Sequence, residues 1–441
     1  MPSLALLERL SLAFLTGAAT LSCIVFAIAA VRAVHPLVFA GVSAAALVAG
    51  WRMHIFRAGK SEPPALPPPW RIAGLACFGV FTAIYFLHAM SPELSPDGSY
   101  YHLGLVSLYF NRGGFVRVTD NMFAHFPMGV EMLFLYAFAF GRHSAAALVH
   151  FLFLGALASS VYAFSARMLR APIAGLVAAF AIYASPIVGW DATRAYNDVA
   201  LAAAAFGMFY LLEIWAATEA TAVLIPAGLL AGFALSTKYS GYPAVLFGIG
   251  FVLVELWRKR ALRLEPMAAF VAPALVVFMP WAVRNWIWIG NPFSPFLNRL
   301  FPNPYIFPSF EREYLQFVRS PEGVTSWLQV PLELTVRGYH LQGLVGPLFL
   351  LAPLVLLTCR TRQGRHLCAA ALAFASIYPA NMTTRFLIPV IPFIAVALAL
   401  AFAKNRYVLA GLLAFHGITA FPAVVDRYCD QYAMRLPQTP P

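Results

Sequence analysis

Charge is scarce in this sequence. Asp, Glu, Lys and Arg make up 11% of its 441 residues, where a soluble domain carries about a quarter. That shortfall excludes an ordinary water-soluble enzyme. Polar stretches are scarce too. The longest run to roughly 40 to 50 residues, which leaves little room for a globular domain outside a membrane. Cysteine is sparse and unpatterned: Cys23, Cys77, Cys359, Cys368 and Cys429 form no CxxC and no metal-ligand spacing. A zinc module is thereby excluded, and the cysteines read as small core residues. A cleavable export signal is missing, because Glu8 and Arg9 precede a long apolar run with no small-residue cleavage site. The first helix is therefore expected to stay as an anchor. No low-complexity segment or repeat stands out.

What is abundant is apolar. The chain is 61% hydrophobic, and runs of about 20 apolar residues recur from end to end, the length a membrane-spanning helix needs. The expected fold is all-α, a polytopic transmembrane bundle. Thirteen spans are expected, near residues 10–33, 36–52, 71–90, 143–166, 171–189, 198–217, 221–238, 240–257, 266–286, 339–358, 366–381, 386–403 and 407–424. The net charge of +12 would suggest nucleic acid in a soluble protein. Here much of it sits in short loops, where Lys and Arg set topology instead. The clusters Arg52–Arg71 (with Arg57, Lys60 and a Pro-rich linker), Arg167 and Arg170, Arg258–Arg263, Arg360–Arg365, and Lys404 and Arg406 all fall on one side of the thirteen spans. That puts the N-terminus in the cytoplasm and the two long loops, 91–142 and 287–337, on the outer face. The apolar segment 128–141 is only 14 residues long, too short to cross, and is expected to be an interfacial or re-entrant outer helix. Two units follow: an N-terminal hairpin with its linker over 1–60, and a main membrane unit over 61–441.

Four polar stretches interrupt this apolar chain, all on the expected outer side. They are Pro96-Asp-Gly-Ser-Tyr-Tyr-His102 with Arg112 and Arg117 after it, Trp190-Asp-Ala-Thr-Arg-Ala-Tyr-Asn-Asp198, Ser236-Thr-Lys-Tyr-Ser-Gly-Tyr242, and Thr383-Thr-Arg-Phe-Leu-Ile-Pro389. Each has a structural reading. Asp97 after Pro96 suits a helix N-cap, and Asp198 does as well. His102 suits a satisfied interfacial histidine. Asp191, Arg194 and Asp198 suit an ion-pair cluster, and Lys238 and Arg385 suit snorkelling cations. The functional reading takes them together. Ionisable groups in membrane spans are costly and default to function. A carboxylate, Asp97, beside the cations Lys238 and Arg385 fits a lipid-linked phosphate substrate. The carboxylate takes a proton from an acceptor hydroxyl, and fixed cations stabilise the departing phosphate.

At these residues the chain resembles the GT-C glycosyltransferases, in the bacterial group related to protein O-mannosyltransferases and aminoarabinose lipid A transferases. Asp97-Gly-Ser-Tyr-Tyr-His-Leu is similar to that family's first-loop motif. His125-Phe-Pro-Met with Gly141 resembles its PPL segment, and Tyr196-Asn-Asp-Val its acidic second-loop motif. Ala231 to Gly241, Gly290-Asn-Pro-Phe-Ser-Pro and Arg385-Phe-Leu-Ile-Pro-Val-Ile-Pro resemble three later ones. The six motifs keep their order over residues 71–403. The resemblance implies a GT-C bundle with juxtamembrane helices on the outer face. It implies inverting transfer of a sugar from a polyprenyl-phosphate donor to a glycan, lipid or protein acceptor. It places the enzyme in the cell inner membrane with the site on the periplasmic face. Carried over residue by residue, Asp97 is the general base. Asp198 is a second acid for acceptor or metal, and Lys238 and Arg385 contact donor phosphate or sugar. Tyr101, His102 and His125 are further substrate-binding candidates. Many relatives carry two adjacent acids where this chain has Asp97-Gly98, so no metal ligand is assigned, a divalent metal is left open, and Glu93 or Asp120 could supply the second acid. The bilayer is an expected partner and nucleic acid is not. The competing reading is a transporter or flippase of lipid-linked sugars, which would need a polar path at the bilayer midplane and broken helices there.

Overall fold

The computed structural model describes residues 5–52, 65–260, 263–319 and 323–427. Among them the chain is helical throughout, with no strand. The helices are α1 (Leu6–Ala30), α2 (Pro36–Arg52), α3 (Pro68–Met90), α4 (Leu103–Asn111), α5 (Gly129–Met168), α6 (Pro172–Tyr183), α7 (Pro186–Ala192) and α8 (Asp198–Thr218). Then come α9 (Leu224–Thr237), α10 (Tyr242–Arg258), α11 (Leu264–Ile289), α12 (Pro308–Arg319), a single turn α13 (Val330–Leu332), α14 (Arg362–Ala375), α15 (Ile391–Ala401) and α16 (Arg406–Pro422). The segment Pro347–Arg360 winds as a 3-10 helix.

Local chemistry sets the boundaries. Proline opens the first turn of α3, α6, α7 and α10, where its missing N–H costs nothing. Gly290 closes α11 in the left-handed region at φ +73, as an αL cap requires. All thirteen expected spans meet a helix or bent helix pair. By length and apolarity seven helices qualify to cross a membrane, or eight if α6 and α7, bent by 67°, count as one. Four more apolar helices are shorter: α2, Thr221–Thr237, Pro347–Arg360 and α15. The protein is a multi-pass membrane protein.

The segment 128–141 departs from the interfacial placement expected for it, though not from the re-entrant one. It is the first part of α5, separated from the rest by a kink at Gly141 and Arg142. It does not lie on a surface, since residues 127–135 are all buried. Ser22 of α1 donates to Gly129 O at 2.7 Å, so this half-helix packs inside the bundle. The expected boundary at residue 60, with Arg57, Lys60, Pro63, Pro64 and Cys429, lies outside the described residues. Helix α1 shares the main core through Leu12, Leu15, Ala19 and Val25. Only Phe39 is buried on α2. The four described cysteines are free.

Close packing builds the frame around α9. A Cβ on Gly228 would fall 2.0 Å from Phe270 O, and one on Gly232 2.4 Å from Ala274 O. These glycines, four residues apart, let α9 and α11 touch backbone to backbone, as small residues do in membrane bundles. The two ends of the bundle differ chemically. At one, Glu8 pairs with Arg167 at 2.8 Å and accepts from Tyr210 Oη at 2.5 Å. His366 meets Glu213 there, and Arg362 meets Glu255 at 2.8 Å. Helix α8 links the ends, with Tyr210 and Glu213 in its far half and Asp198 at its start. The candidate site lies at the Asp198 end.

Candidate active site

The loop that follows α3 is tightly wound. Glu93 accepts from Ser95 N at 2.9 Å and from Ser95 Oγ, and its other oxygen accepts from Ala195 N at 3.1 Å. The 93–98 turn is thereby tied to the loop before α8. A Cβ on Gly98 would fall 2.5 Å from Glu93 Cδ, so the Glu93 carboxyl fills the space beside Asp97 that a side chain at 98 would take. Residues Gly98–His102 form one wide turn in which Leu103 N donates to Gly98 O, a form that recurs at functional sites. Asp97 makes no side-chain cap there. Its carboxylate is aimed elsewhere.

It reaches Arg385. Asp97 Oδ2 lies 2.7 Å from Arg385 Nη2, and Arg385 Nε lies 4.0 Å from Asp198 Oδ2. Asp198 Oδ1 accepts from Lys238 Nζ at 2.7 Å. Four side chains from four distant segments thus form one chain of alternating charge. Their placement follows from local breaks. Helix α9 stops at Lys238, whose extended backbone (φ −162, ψ 143) turns its side chain off the helix. The turn carrying Arg385 is fixed by Thr384, whose Oγ1 donates to Leu341 O at 2.8 Å. Asp198 is free to bind Lys238 because Asp191 takes the helix-capping role, accepting from Val199 N at 2.9 Å. Aromatic faces support the cations: Arg385 Cζ lies 5.3 Å from the Tyr196 ring centre, and Lys238 Nζ 4.0 Å from that of Phe386.

The two carboxylates are not equivalent. The Asp97 side chain is 32% exposed and that of Asp198 2%. Burial pushes the Asp97 carboxyl up, but the Arg385 guanidinium holds it below the ordinary carboxylate range. Asp97 is therefore ionised at neutral pH and open to solvent. Asp198 is enclosed and fully occupied with positioning cations.

A cavity of about 260 Å³ opens beside Lys238. Tyr101 lines it, stacked on Phe123 at 4.4 Å and 10°. Phe126, Tyr239, Tyr314 and Phe386 add further rings, and Glu131, Asn197, Thr237 and Ser240 add polar groups. Its walls come from the two long loops, 91–142 and 287–337, and the turn before α15, tied by Met382 N to Val318 O at 3.1 Å and Tyr239 Oη to Ser294 O at 3.2 Å. His102 stands behind Tyr101, its Nδ1 2.5 Å from Glu131 Oε1.

His125 stands apart from this group. Its carbonyl accepts from Asn285 Nδ2 at 2.6 Å, next to Arg284, whose Nη2 donates to Ala124 O at 2.9 Å and Phe126 O at 3.3 Å. Its ring is buried, and that burial, reinforced by Arg284, pushes the imidazole down to about 4. Its place is structural, within the clamp that α11 puts on the turn carrying Phe123. Arg112 is not in the charged chain, and Arg117 instead donates to Tyr305 Oη at 2.7 Å, joining the two long loops.

The residues that sequence reasoning missed are Glu131 and, as a binding partner, Asn197. The signal for Glu131 was its being the one charged residue in the apolar run 128–141. Among the described residues no three His, Cys, Asp or Glu side chains gather as metal ligands.

The family profile of dolichyl-phosphate-mannose-protein mannosyltransferases matches residues 125–286. No curated protein matches the sequence. In structure the chain is similar to ArnT from Cupriavidus metallidurans bound to undecaprenyl phosphate, with a TM-score of 0.55 at 18% identity, covering 82% of this chain and 66% of that one. Against the apo state of the same protein the TM-score is 0.51 at 18% identity, covering 76% and 59%. The chain thus spans just under two thirds of that relative's length. The fold is that of the GT-C membrane glycosyltransferases.

Proposed function

We propose that the protein transfers a sugar from a polyprenyl-phosphate donor to an acceptor hydroxyl at the outer face of the bacterial inner membrane. The observation that carries this reading is the charged chain Asp97–Arg385–Asp198–Lys238 beside an aromatic cavity, set in a GT-C fold. The mannosyltransferase profile and a solved relative holding undecaprenyl phosphate support a lipid-phosphate donor. The two-ended bundle suits a cytoplasmic N-terminus, with Arg167, Arg258 and Arg362 at the end opposite the site.

In the reaction the acceptor oxygen attacks C1 of the donor sugar. Asp97 takes the hydroxyl proton, the new C1–O bond forms, and the bond from C1 to the phosphate oxygen breaks with its electron pair going to the phosphate. Attack from the face opposite the phosphate inverts C1. Lys238 and Arg385 receive the developing phosphate charge. Preset cations do this well because they need no reorganisation as the charge grows. Asp198 holds both cations in place and keeps their burial tolerable. The donor set offers no three-ligand metal cluster among the described residues, and no step here is assigned to a metal.

Membranes containing the full chain, given a panel of radiolabelled polyprenyl-phosphate sugars, test the reading. Transfer by the wild type and none by a normally inserted Asp97→Asn variant is the expected result. Equal transfer by both would overturn the base. A transporter would draw support from the bend between α6 and α7, while the four charged side chains of the site lie together at one end of the bundle.

A further inference from the structure

Three buried polar atoms without a hydrogen-bond partner among the described residues belong to residues lining the cavity beside Lys238. They are Glu131 Oε2, Thr237 Oγ1 and Ser240 Oγ. Buried polar groups are nearly always bonded, and a bare carboxylate oxygen is the costliest to leave alone. Glu131 is held asymmetrically. Its Oε1 lies 2.5 Å from His102 Nδ1 and accepts from Asn197 Nδ2 at 3.1 Å, so the protein uses one oxygen and leaves the other. The side chain is 3% exposed, so bulk water does not compensate. A ligand that donates a hydrogen bond would.

The rest of the wall narrows the choice of ligand. The cavity is framed by the stacked pair Tyr101 and Phe123, by Tyr314 and by Phe386. Flat apolar faces with a few placed polar atoms suit a molecule that has a C–H face and a polar rim. A pyranose ring has both. Its position fits as well, because a sugar joined to a phosphate at Lys238 would extend into this space.

We propose that the cavity is the pocket for the donor's monosaccharide, and that Glu131 selects the sugar by accepting a ring hydroxyl through Oε2. This rests on the glycosyltransferase reading above. A pocket built to bond a hydroxyl rejects analogues that lack it far more strongly than a greasy pocket discriminates by size. Glu131→Gln is the informative substitution. Its amide oxygen can keep the bonds to His102 and Asn197, while the cavity receives an N–H donor in place of an acceptor.

The test is saturation-transfer NMR on the full chain in lipid nanodiscs, with the methyl pyranosides of glucose, mannose and galactose and with methyl 2-amino-2-deoxyglucoside, the last separating an ammonium donor from a hydroxyl. At least one is expected to bind. Glu131→Gln is expected to weaken it by roughly tenfold to a hundredfold. The monodeoxy analogue lacking the bonded hydroxyl should bind equally badly to both proteins. Thr237→Val removes an unpartnered oxygen, loses no bond within the protein, and should weaken binding in a fully folded variant. Absence of binding by every pyranoside, or wild-type binding by both variants, would overturn the pocket. The two readings fail separately. Sugar transfer with unchanged preference in Glu131→Gln removes the pocket and leaves the enzyme. Pyranoside binding sensitive to Glu131, with no transfer from any donor, leaves the pocket and removes the enzyme.

Discussion

Asp97 and Arg385 meet at 2.7 Å between the loop after α3 and the turn before α15. The pair joins the most exposed acid of the site to a cation that also faces the buried Asp198. Asp97→Asn keeps shape and leaves Arg385 its second acid. Transfer should fall by about 10² to 10⁴, the usual contribution of a general base, while the variant still folds and inserts, losing only the small stability of one partly exposed ion pair. A parallel loss of folded protein would instead mark Asp97 as structural.

The same pair sets a pH dependence. Arg385 holds the Asp97 carboxyl low in the folded protein, so the stability it contributes is present above the unfolded value and is lost as pH falls through the folded one. Melting temperatures of wild type and Asp97→Asn should differ by a constant amount over about pH 5 to 8, and the difference should close below about pH 4. A gap that widens in acid would contradict the ion pair.

Gly98 is predicted to tolerate no side chain. A Cβ there would meet Glu93 Cδ at 2.5 Å and Ser95 Oγ at 2.6 Å. Glu93 cannot step aside without losing its bonds to Ser95 and Ala195. Gly98→Ala should cost about 1 to 3 kcal/mol and reduce transfer by moving Asp97. Retained activity in the variant would show that the Glu93 staple is dispensable.

Lys238 and Asp198 should behave as a coupled pair. Lys238→Met strands the Asp198 carboxylate, 2% exposed, and should destabilise the protein by about 3 to 5 kcal/mol. Adding Asp198→Asn should recover part of that loss. Thermal unfolding of the two single variants and the double variant forms the cycle, and additive losses would argue against direct pairing.

Arg284 and His125 separate clamp from chemistry. Arg284→Leu removes two bonds to the turn under Phe123, and a cost of roughly 3 kcal/mol is expected. His125→Gln should leave transfer within about threefold, since an imidazole pushed down to about 4 stays neutral and no charged step uses it. A large loss of transfer in a stable His125→Gln would restore it to the site.

Much of this was legible in the chain. Asp97, Lys238 and Arg385 stood out because a charge in a greasy context needs a reason. Span positions were readable because bilayer thickness sets helix length. His125 was a weaker candidate from the start, and the structure places its buried ring beside Arg284, away from the charged group. Glu131 was hidden because one acid barely alters the apolarity of its segment, and because a half-helix packed inside the bundle looks in sequence like one lying on a surface.

The division follows the range of the forces involved. Hydrophobicity and turn chemistry act between near neighbours, so the sequence by itself determined the membrane class, the helix positions and the breaks at Lys238 and Gly290. Pairing acts between residues that only folding brings together. Tertiary structure alone decided that Asp97 binds Arg385 instead of capping a helix, that Asp191 caps α8 and frees Asp198 for Lys238, and that Glu131 turns one oxygen toward a cavity. Each outcome depends on which partner lies within about 3 Å, the range of a hydrogen bond, and distance along the chain does not encode that.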